Sequence, residues 1–512
     1  MRPHPGGLRW LCAAVLLLPT FHVTAQTSDM SLKLTEDVTW SSLPANLFGY
    51  NTNVPATAGG RGQTTPWDDP RMVKVVDELA PSNMRFPGGT LSQFYDWRTQ
   101  RQVPPHPLGK ATPKFMFDID ANQAGFMRLC EQLNMRPVFV FNTLTDTVDS
   151  QWQWIESLAK SDGSLPIKHW EVGNEVDALM LPNSDFKHYK GPIQSPEDYI
   201  TYARDLGNRI HSRWPEAQVA VVGGGPIYLQ FPGGSEQGVP EDSSLGLVQW
   251  NQKLSADRSF YDAVVYHIYL QSWPQFQHRL KWTPQQRMQW LLGAGDAYPG
   301  WLKEHQQKYY GTDKAIWLTE VGMVTWVGNR EHKHSAEFAW WSRLAEINFI
   351  LALIADHGPI EMICKHLLAA PSRKMPVMVI GRGEEIKRVS LNQPLAQMFA
   401  HIGQATRGDN IQVADLPIEG VGQFKGRLKL HDQTFANVRA IAMRRDSETT
   451  LFLINRSAES ARINLPHGSW QGETFVAELE QTDEDVQRLP HNSKASVISL
   501  PAYSYTVLRN HP

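Results

Sequence analysis

The sequence predicts an α/β fold: a (β/α)8 (TIM) barrel followed by a C-terminal all-β sandwich. From about residue 43 to 400, eight strand-like runs alternate with helical stripes, which is the pattern of a barrel of parallel strands. Several of these runs are almost continuously apolar, as expected for strands covered on both faces by helices. After about residue 405 the helix signals fade and short alternating runs appear, which indicates a sandwich. A doubly wound sheet would give the same local alternation, and the count of eight favours the barrel.

Composition and charge limit the class of protein. The chain has 512 residues, of which 41% are hydrophobic and 20% charged, so a disordered chain, a collagen-like repeat and a coiled coil are excluded. Its length predicts two domains, one of them large. The formal net charge of −3 provides no electrostatic footprint for nucleic acid. Three Cys exclude a disulfide-stapled scaffold, and the 18 Trp outnumber the 14 Tyr, which is unusual.

The first 25 residues carry the pattern of an export signal. Arg2 and Arg9 precede the short apolar run Trp10–Leu18, and Val23–Ala25 provides a small-residue cleavage site. The apolar run is too short to span a bilayer, so we expect a secretory signal peptide that is cleaved after Ala25. The alternative is an uncleaved anchor. With cleavage, the mature protein is exported, periplasmic or secreted, and has no membrane anchor.

The predicted domain boundaries follow from these changes of pattern. Residues 26–42 form an extended segment that packs on the sandwich, residues 43–403 form the barrel, and residues 404–512 form the sandwich. Cys130 falls in a helical pattern and Cys364 in an apolar strand, and each is expected to be a buried free thiol. The sequence leaves the oligomeric state open.

The individual elements rest on apolar runs and on helix start signals. The predicted barrel strands are Leu47–Asn51, Asn83–Phe86, Pro137–Asn142, Ile167–Gly173, Val219–Gly223, Ala263–Ile268, Ala315–Thr319 and Ile360–Lys365. Asp69 and Pro70 provide an N-cap and a proline at the first helical position, and Ser195 with Asp198 forms a capping box. The predicted sandwich strands are Val438–Met443, Thr450–Ile454, Ala461–Leu465, Glu473–Leu479, Val497–Leu500 and Tyr503–Leu508.

Two carboxylic acids stand at the predicted carboxyl ends of barrel strands, where barrel enzymes build their active sites. Glu175 follows the fourth strand and Glu320 ends the seventh, so the two side chains face one cavity across the barrel mouth. Glycoside hydrolysis needs such a pair, because one carboxyl protonates the leaving oxygen while the other attacks, or activates water, on the opposite face. The alternative is that each Glu only caps the helix that follows it.

Short motifs around these positions resemble a known group of enzymes. Asn174–Glu175 and Thr319–Glu320 are similar to the acid/base and nucleophile motifs of the retaining glycoside hydrolases of clan A. The segments Leu47–Asn51 and Met84–Gly89, the latter followed by Tyr95–Trp97, resemble the first two strand ends of the family 51 α-L-arabinofuranosidases, with families 39 and 79 as near relatives. The closing segment Leu500–Leu508 resembles the last strand of the sandwich that these families carry.

The resemblance implies roles for the two carboxylates and their neighbours. Glu175 would be the general acid/base and Glu320 the nucleophile. Asn174 would bind the substrate hydroxyl next to the anomeric carbon. Arg85 would keep Glu320 ionised, although a purely structural ion pair is the alternative for Arg85. Glu171 has the same strand parity as Glu175, and a buried Glu171 would need a partner such as Arg85.

The sixth strand adds two assisting residues to this set. The spacing of His267 and Tyr269 matches that strand of the clan, where the tyrosine hydroxyl steadies the nucleophile; a satisfied strand-end histidine is the alternative for His267. Lys365 stands where many clan members have a tryptophan, and it would suit an acidic sugar or form an interior ion pair. The full set of candidate substrate-binding residues is Asn51, Asn142, Trp273, Trp326 and Lys365.

The function implied is a retaining glycoside hydrolase that cleaves a polysaccharide or oligosaccharide through a covalent glycosyl-enzyme intermediate. One alternative is a catalytically inactive barrel that binds glycans; another is a substrate that contains uronic acid or sulfate. No cofactor is expected, because the glycine-rich segment Val222–Gly225 lacks a dinucleotide fingerprint. No metal site is expected either, since His332 and His334 share no helix face.

Overall fold

The computed structural model describes the chain apart from several segments, and the statements below concern the described residues. The segments left out are 1–29, 35–37, 54–57, 59–63, 103–118, 178–190, 226–246, 273–283, 326–338, 372–374, 383–384, 429–430, 494–495 and 511–512. The predicted signal peptide, Trp273, Trp326 and the pair His332 and His334 therefore lie outside the described residues.

Eight parallel strands form a closed barrel in which spatial order follows chain order. The strands are Phe48–Asn51, Asn83–Phe86, Arg136–Val140, His169–Val172, Gln218–Val222, Ala263–Ser272, Ala315–Thr325 and Ile360–His366. Each of them coincides with a predicted strand, although the sixth and seventh run further at their carboxyl ends. The predicted barrel is confirmed, and the doubly wound alternative is excluded because the first and eighth strands pair.

Helices surround the barrel, and two of them begin at the predicted signals. The helices are Pro70–Leu79, Gln123–Gln132, Val148–Leu158, Pro196–Arg213, Leu247–Ser255, Pro284–Tyr310, Trp340–Ala355 and Leu395–Thr406, with 3-10 turns at Thr90–Phe94 and Asp483–Asp485. The side chain of Asp69 caps the first helix by accepting a bond from the Arg71 amide at 2.8 Å. Ser195 caps the fourth in the same way, accepting from the Asp198 amide at 3.2 Å. Among the described residues, no helix combines the length and the apolarity needed to cross a membrane.

The C-terminal region is all β, and the N-terminal segment joins it. Its strands are Gln412–Leu416, Ile418–Glu419, Gln423–Leu428, His431–Ala436, Val438–Arg445, Glu448–Asn455, Ala461–Asn464, Trp470–Val476, Gln487–Ser493, Val497–Leu500 and Ser504–Asn510. They form a seven-stranded and a four-stranded sheet, with Gln423–Leu428 and His431–Ala436 as a separate hairpin. Met30–Leu32 lies between strands of the four-stranded sheet, and Ser41–Ser42 pairs with Gln412–Leu416 at the edge of the larger sheet.

Several strands were not predicted, among them five of the C-terminal region: Gln412–Leu416, Ile418–Glu419, Gln423–Leu428, His431–Ala436 and Gln487–Ser493. Ala369–Ala370, Val377–Arg382 and Glu385–Leu391, also not predicted, form a small sheet between the eighth barrel strand and the last helix. Only Val389 of its third strand is buried, so this strand lacks the apolar alternation that identifies a half-buried strand. A short hairpin, Tyr95–Asp96 with Arg101–Gln102, follows the second barrel strand.

The barrel interior is packed by side chains from the third and from the fifth to the eighth strands. Its members are Val138, Ala220, Ala263, Val265, Trp317, Met362 and Cys364. Both described cysteines, Cys130 and Cys364, are buried and free, as predicted. Because this layer fills the lower barrel, only the carboxyl ends of the strands are open to form a site.

Candidate active site

The two predicted carboxylates meet at the carboxyl end of the barrel. Gly173 and Glu175 both have positive φ angles, +87° and +48°, which turn the chain sharply after the fourth strand. A Cβ atom at Gly173 would lie 2.5 Å from the hydroxyl of Thr143, so this turn requires glycine. One oxygen of Glu175, one of Glu320 and a ring nitrogen of His267 lie within 4.8 Å of one another. The structure therefore brings the predicted acid/base, nucleophile and histidine together.

Arg85 lies beneath this pair and joins four side chains. Its guanidinium is fully buried and donates two bonds to Glu171, at 2.6 and 2.7 Å. The same group donates to Glu320 at 2.8 Å, to Asn174 at 2.8 Å and to Asn51 at 3.0 Å. These bonds use the whole fork of the guanidinium, so Arg85 fixes the side chains around it. Glu171 has the partner that the sequence predicted for it.

Glu320 is a buried carboxylate held in its charged form. Burial by itself would raise its pKa, but His267 and Arg85, together with the hydroxyl of Tyr269, lower the pKa well below its ordinary value. Tyr269 donates to Oε2 of Glu320 at 2.5 Å. An ionised carboxylate with one oxygen held by Arg85 and the other by Tyr269 is ready to act as a nucleophile.

His267 connects the two carboxylates. One ring nitrogen, Nδ1, lies 2.9 Å from Glu175 and 3.7 Å from Glu320, and Nε2 lies 3.1 Å from the hydroxyl of Thr319. Burial alone would lower the pKa of His267, but the charge of Glu320 and the contact with Glu175 raise it above its ordinary value. His267 is therefore hydrogen-bonded to Glu175 and lies close to the charge of Glu320, and it is not an isolated strand-end residue.

Asn174 offers an unused donor in the site. Its Oδ1 accepts a bond from Arg85, and its backbone carbonyl accepts one from Gln93. The Nδ2 atom is buried and has no hydrogen-bond partner among the residues that the structure describes. An unpaired buried donor is costly, and a substrate hydroxyl bound beside Glu175 would satisfy it.

Two residues of the site were not found from the sequence. His366 ends the eighth strand, with Nδ1 2.6 Å from Asn51 and 3.3 Å from Glu320. The alternation of the eighth strand would have found it, because Met362 and Cys364 face the barrel interior and His366 has the same parity. Asp177 is the second: burial and the charge of Glu175 raise the pKa of its carboxyl to about 7.

The structure does not support substrate contact by Asn142 or Lys365. The side chain of Asn142 donates to the Tyr95 carbonyl at 3.0 Å and accepts from the Thr145 amide, so it orders a loop. The ammonium of Lys365 is buried against Glu346 at 2.9 Å and donates to the His366 carbonyl at 2.6 Å. Lys365 has the parity that faces the surrounding helices, and the interior ion pair is the interpretation that the structure supports.

Glu175, His267 and Glu320 are also close enough together to hold a metal ion. Two carboxylates and one histidine are a common ligand set. Here, however, His267 has a raised pKa and shares its ring nitrogens with Glu175 and Thr319. A metal ligand needs a bare ring nitrogen, so the arrangement fits proton exchange between the acids better than metal binding.

Comparison with solved structures identifies the fold. The chain superposes on a family 51 α-L-arabinofuranosidase from Bifidobacterium longum with a TM-score of 0.69 and 16% identity, covering 95% of this chain and 100% of that one. A family 51 arabinofuranosidase from Xanthomonas axonopodis pv. citri gives a TM-score of 0.63 and 15% identity, covering 94% and 99%. A family 44 xyloglucanase from Paenibacillus polymyxa gives a TM-score of 0.56 and 10% identity, covering 95% and 100%.

Sequence similarity to curated proteins is confined to one stretch. Over 125 residues the chain is 29% identical to the probable α-L-arabinofuranosidase C of Aspergillus fumigatus and 26% identical to the α-L-arabinofuranosidase C of Emericella nidulans. The match covers 20% of this chain and 24% of each relative, so the chain spans about a quarter of the length of these relatives. No protein-family model matches the chain. The chain therefore has the barrel-and-sandwich fold of the family 51 α-L-arabinofuranosidases, which confirms the resemblance that its motifs predict.

Proposed function

We propose that the protein is a retaining glycoside hydrolase and that α-L-arabinofuranosides are its substrates. The observation that carries this proposal is the placement of one oxygen each of Glu175 and Glu320 within 4.8 Å at the barrel mouth. Retaining enzymes hold their two carboxyl groups about 5–5.5 Å apart, whereas inverting enzymes need about 6.5–9.5 Å to admit a water molecule. The short separation supports double displacement.

In the first step, Glu320 attacks the anomeric carbon and the glycosidic bond breaks. Glu175 gives its proton to the leaving oxygen, so the alcohol departs neutral and the sugar stays bound to Glu320 as an ester. In the second step, the carboxylate of Glu175 takes a proton from water, the resulting hydroxide attacks the same carbon, and Glu320 leaves as a carboxylate. Two inversions give net retention.

The neighbouring side chains match the charge changes of these steps. Arg85 and Tyr269 stabilise Glu320 as an anion before attack and again when it leaves. The unpaired Nδ2 of Asn174 would donate to the hydroxyl beside the anomeric carbon. A protein that only bound glycans would have no use for a buried, ionised carboxylate held by two donors, so these contacts favour catalysis over the inactive alternative.

Two observations support the proposed substrate class: the names of the similar proteins and the ion pair between Lys365 and Glu346. The two family 51 proteins of similar structure are arabinofuranosidases by name, and so is the Emericella nidulans protein with a similar stretch of sequence. The acidic-sugar alternative depended on Lys365, whose ammonium is occupied by Glu346. A neutral pentoside therefore fits the described part of the site better than a uronic acid or a sulfated sugar.

Replacement of each carboxylate tests the mechanism. We expect Glu320→Ala and Glu175→Ala each to lower kcat/KM for a natural arabinoside by about a thousandfold or more. Azide should restore turnover of Glu320→Ala and give a glycosyl azide of inverted configuration, because azide attacks the face that Glu320 leaves open. Glu175→Ala should keep more activity on aryl glycosides with good leaving groups, since these need no proton.

The exposed Glu156 provides a matched control, because Glu156→Ala removes a carboxylate that pairs with Arg213 on the outer helices. This variant should keep the kcat/KM of the wild type. Turnover by Glu320→Ala at the wild-type rate would contradict the proposal. An inverted product from the wild-type enzyme, followed by NMR of the anomeric proton, would contradict the retaining mechanism while leaving hydrolysis in place.

We also propose that the protein is exported. The motivation is the pattern of Arg2, Arg9 and the apolar run Trp10–Leu18 ahead of Ala25. Expression in a host with a functional secretion system should give a mature protein whose N-terminal residue is Gln26, measured by intact mass. A full-length protein retained in the cytoplasm would contradict this proposal.

A further inference from the structure

His366 lies on the floor of the barrel mouth next to the nucleophile. It ends the eighth strand and stands opposite Asn51 in the register of the first strand. Its Nδ1 is 2.6 Å from Nδ2 of Asn51 and 3.3 Å from Oε2 of Glu320. Its ring meets that of Tyr269 edge-on, with centroids 5.8 Å apart and planes at 84°. Neither the proposed double displacement nor the predicted site assigns a role to His366.

The contacts of Asn51 determine the protonation state of His366. Arg85 has only donors, so the Asn51 atom 3.0 Å from it must be the amide oxygen. The amide nitrogen of Asn51 then faces Glu320, at 3.2 Å, and His366. Because this nitrogen has two hydrogens to give and no lone pair to offer, Nδ1 of His366 has to accept one of them. A bare Nδ1 leaves the ring proton on Nε2.

The environment also keeps the His366 ring neutral. Burial lowers the pKa of His366 to about 4, against a smaller opposing effect of Glu320. At neutral pH the side chain is therefore an uncharged imidazole with one N–H donor. Unlike the cationic side chain of lysine or arginine, this N–H group donates a directed hydrogen bond without adding a positive charge to the site.

The ring that carries this donor is partly accessible. The side chain of His366 is 21% exposed, against 5% for Glu320, while Asn51 is fully buried. The hydrogen bonds and ion pairs between this ring and other described residues all use Nδ1. The two nitrogens of an imidazole point in different directions, so Nε2 is directed away from Asn51 and Glu320.

We propose that Nε2–H of His366 donates a hydrogen bond to a hydroxyl of the sugar whose bond is cleaved, and that this bond selects an uncharged glycosyl group. The inference rests on the proposed hydrolase function and extends it to substrate choice. A neutral donor beside an anionic nucleophile favours a hydroxyl oxygen, whereas a carboxylate or sulfate at the same position would meet the charge of Glu320 without a compensating cation from His366.

Deoxy substrates test this proposal. For 4-nitrophenyl α-L-arabinofuranoside and its 2-, 3- and 5-deoxy analogues, kcat/KM is measured with the wild type, His366→Ala and His366→Gln. With the wild type, kcat/KM should be about tenfold lower for one deoxy analogue than for the parent substrate, as expected for the loss of one hydrogen bond. His366→Ala should lower kcat/KM for the parent substrate by about the same factor, and it should not lower kcat/KM any further for that analogue. His366→Gln, which keeps an N–H donor, should restore part of the loss.

His357→Gln provides the matched control, because it changes a buried histidine at the end of an outer helix. It should leave all the ratios between substrates unchanged. If the removal of each hydroxyl lowers kcat/KM by the same factor in His366→Ala as in the wild type, His366 makes no hydrogen bond to the sugar. The proposal then fails, while the hydrolase function stands.

A second measurement does not depend on turnover. In protein labelled with 15N-histidine, the His366 signals, assigned by their absence in His366→Gln, should show the Nε2–H tautomer at pH 7. The Nε2 signal should shift when arabinose is added. A charged ring, a proton on Nδ1, or no response to a sugar that binds would overturn the proposal. An enzyme with no activity but with the expected tautomer and shift would instead overturn the hydrolase function.

Discussion

At the scale of single residues, the site depends on which group holds each oxygen of Glu320. Arg85, which is fully buried, holds Oε1, and Tyr269, which is half-buried, holds Oε2. Arg85 is in turn held by Glu171 through two bonds. Removal of one partner of a buried ion pair is strongly destabilising, so Glu320 and Glu171 both depend on the guanidinium of Arg85.

The lowered pKa of Glu320 predicts a pH dependence of stability. The carboxyl has a lower pKa in the fold than its ordinary value of 4.5, so its contribution to the free energy of unfolding is present above about pH 4.5 and is lost as the pH falls below it. Glu320→Gln removes this contribution at every pH. Urea unfolding between about pH 6 and pH 3 should therefore show a steeper fall in stability for the wild type than for Glu320→Gln.

Glu156→Gln, at an exposed pair, serves as the control and should follow the pH dependence of the wild type. Parallel curves for the wild type and Glu320→Gln would mean that the cations around Glu320 do not stabilise its charged form.

The sequence was informative about residues at strand ends and less so about their partners. Glu175, Glu320 and Arg85 could be placed because parallel strands deliver their last residues to one edge. Asn142 and Lys365 also stand near strand ends, but their side chains face a loop and the helix layer. Only the alternation of the strand distinguishes the two neighbours: His366 has the same parity as Cys364 and faces the barrel interior, whereas Lys365 faces the helices. A short motif gives a position along a strand, whereas the direction of a side chain depends on register.

At the scale of elements, the last helix packs against the first at very short range. Gly403 of Leu395–Thr406 faces the end of Pro70–Leu79, where a Cβ atom would lie 2.1 Å from the Leu79 carbonyl oxygen and 2.9 Å from that of Ala80. Both neighbours are backbone atoms and cannot rotate away. Glycine is required here by the separation of the two helices rather than by its φ angle.

Gly403→Ala should therefore push the two helices apart and lower the free energy of unfolding by about 1–3 kcal/mol, measured in urea. Gly300→Ala is the matched control, since Gly300 also lies within a helix but has no atom near its would-be Cβ. That substitution should stabilise the protein by about 0.5–1 kcal/mol. Equal changes in the free energy of unfolding for the two substitutions would contradict the close contact at Gly403.

The strands that could be predicted from the sequence are those with a clear apolar pattern. All eight barrel strands were found, several of them from nearly continuous apolar runs, although the sixth and seventh continue past their apolar parts to Ser272 and Thr325. The strand Glu385–Leu391, in which only Val389 is buried, carries no such run and was missed. Gln412–Leu416 was also missed although three of its residues are buried, so burial alone does not make a short strand recognisable from its sequence.

At the scale of the whole molecule, the barrel and the sandwich share one core. A single apolar cluster contains residues of the barrel and its helices together with Phe452, Phe475 and Tyr505 of the larger sheet. Charged residues reinforce the contact: Asp296 of a barrel helix accepts bonds from Arg439 at 2.9 Å and from Arg456 at 2.5 Å. The sandwich and the barrel therefore form one packed unit.

Asp296→Ala should destabilise the whole molecule. It leaves the guanidinium of Arg456, 2% exposed, without its carboxylate, and removing one partner of a buried pair costs about 3–5 kcal/mol. Because the core is shared, calorimetry should show one unfolding transition at a lower temperature. Asp205→Ala, which breaks an exposed pair with Arg209, should cost about 1 kcal/mol or less. Two separate transitions would contradict the shared core.

The pairing of Met30–Leu32 has a consequence for the order of folding. Met30 lies beside Ile463 and Ser31 beside Asn464, so the first described strand cannot take its place until almost the entire chain has been synthesised. Contacts between residues so far apart in sequence form slowly. The segment therefore stays unpaired while the barrel forms, and its exposed strand edge is then able to pair with another chain. A chaperone that bound the segment during that interval would prevent such pairing.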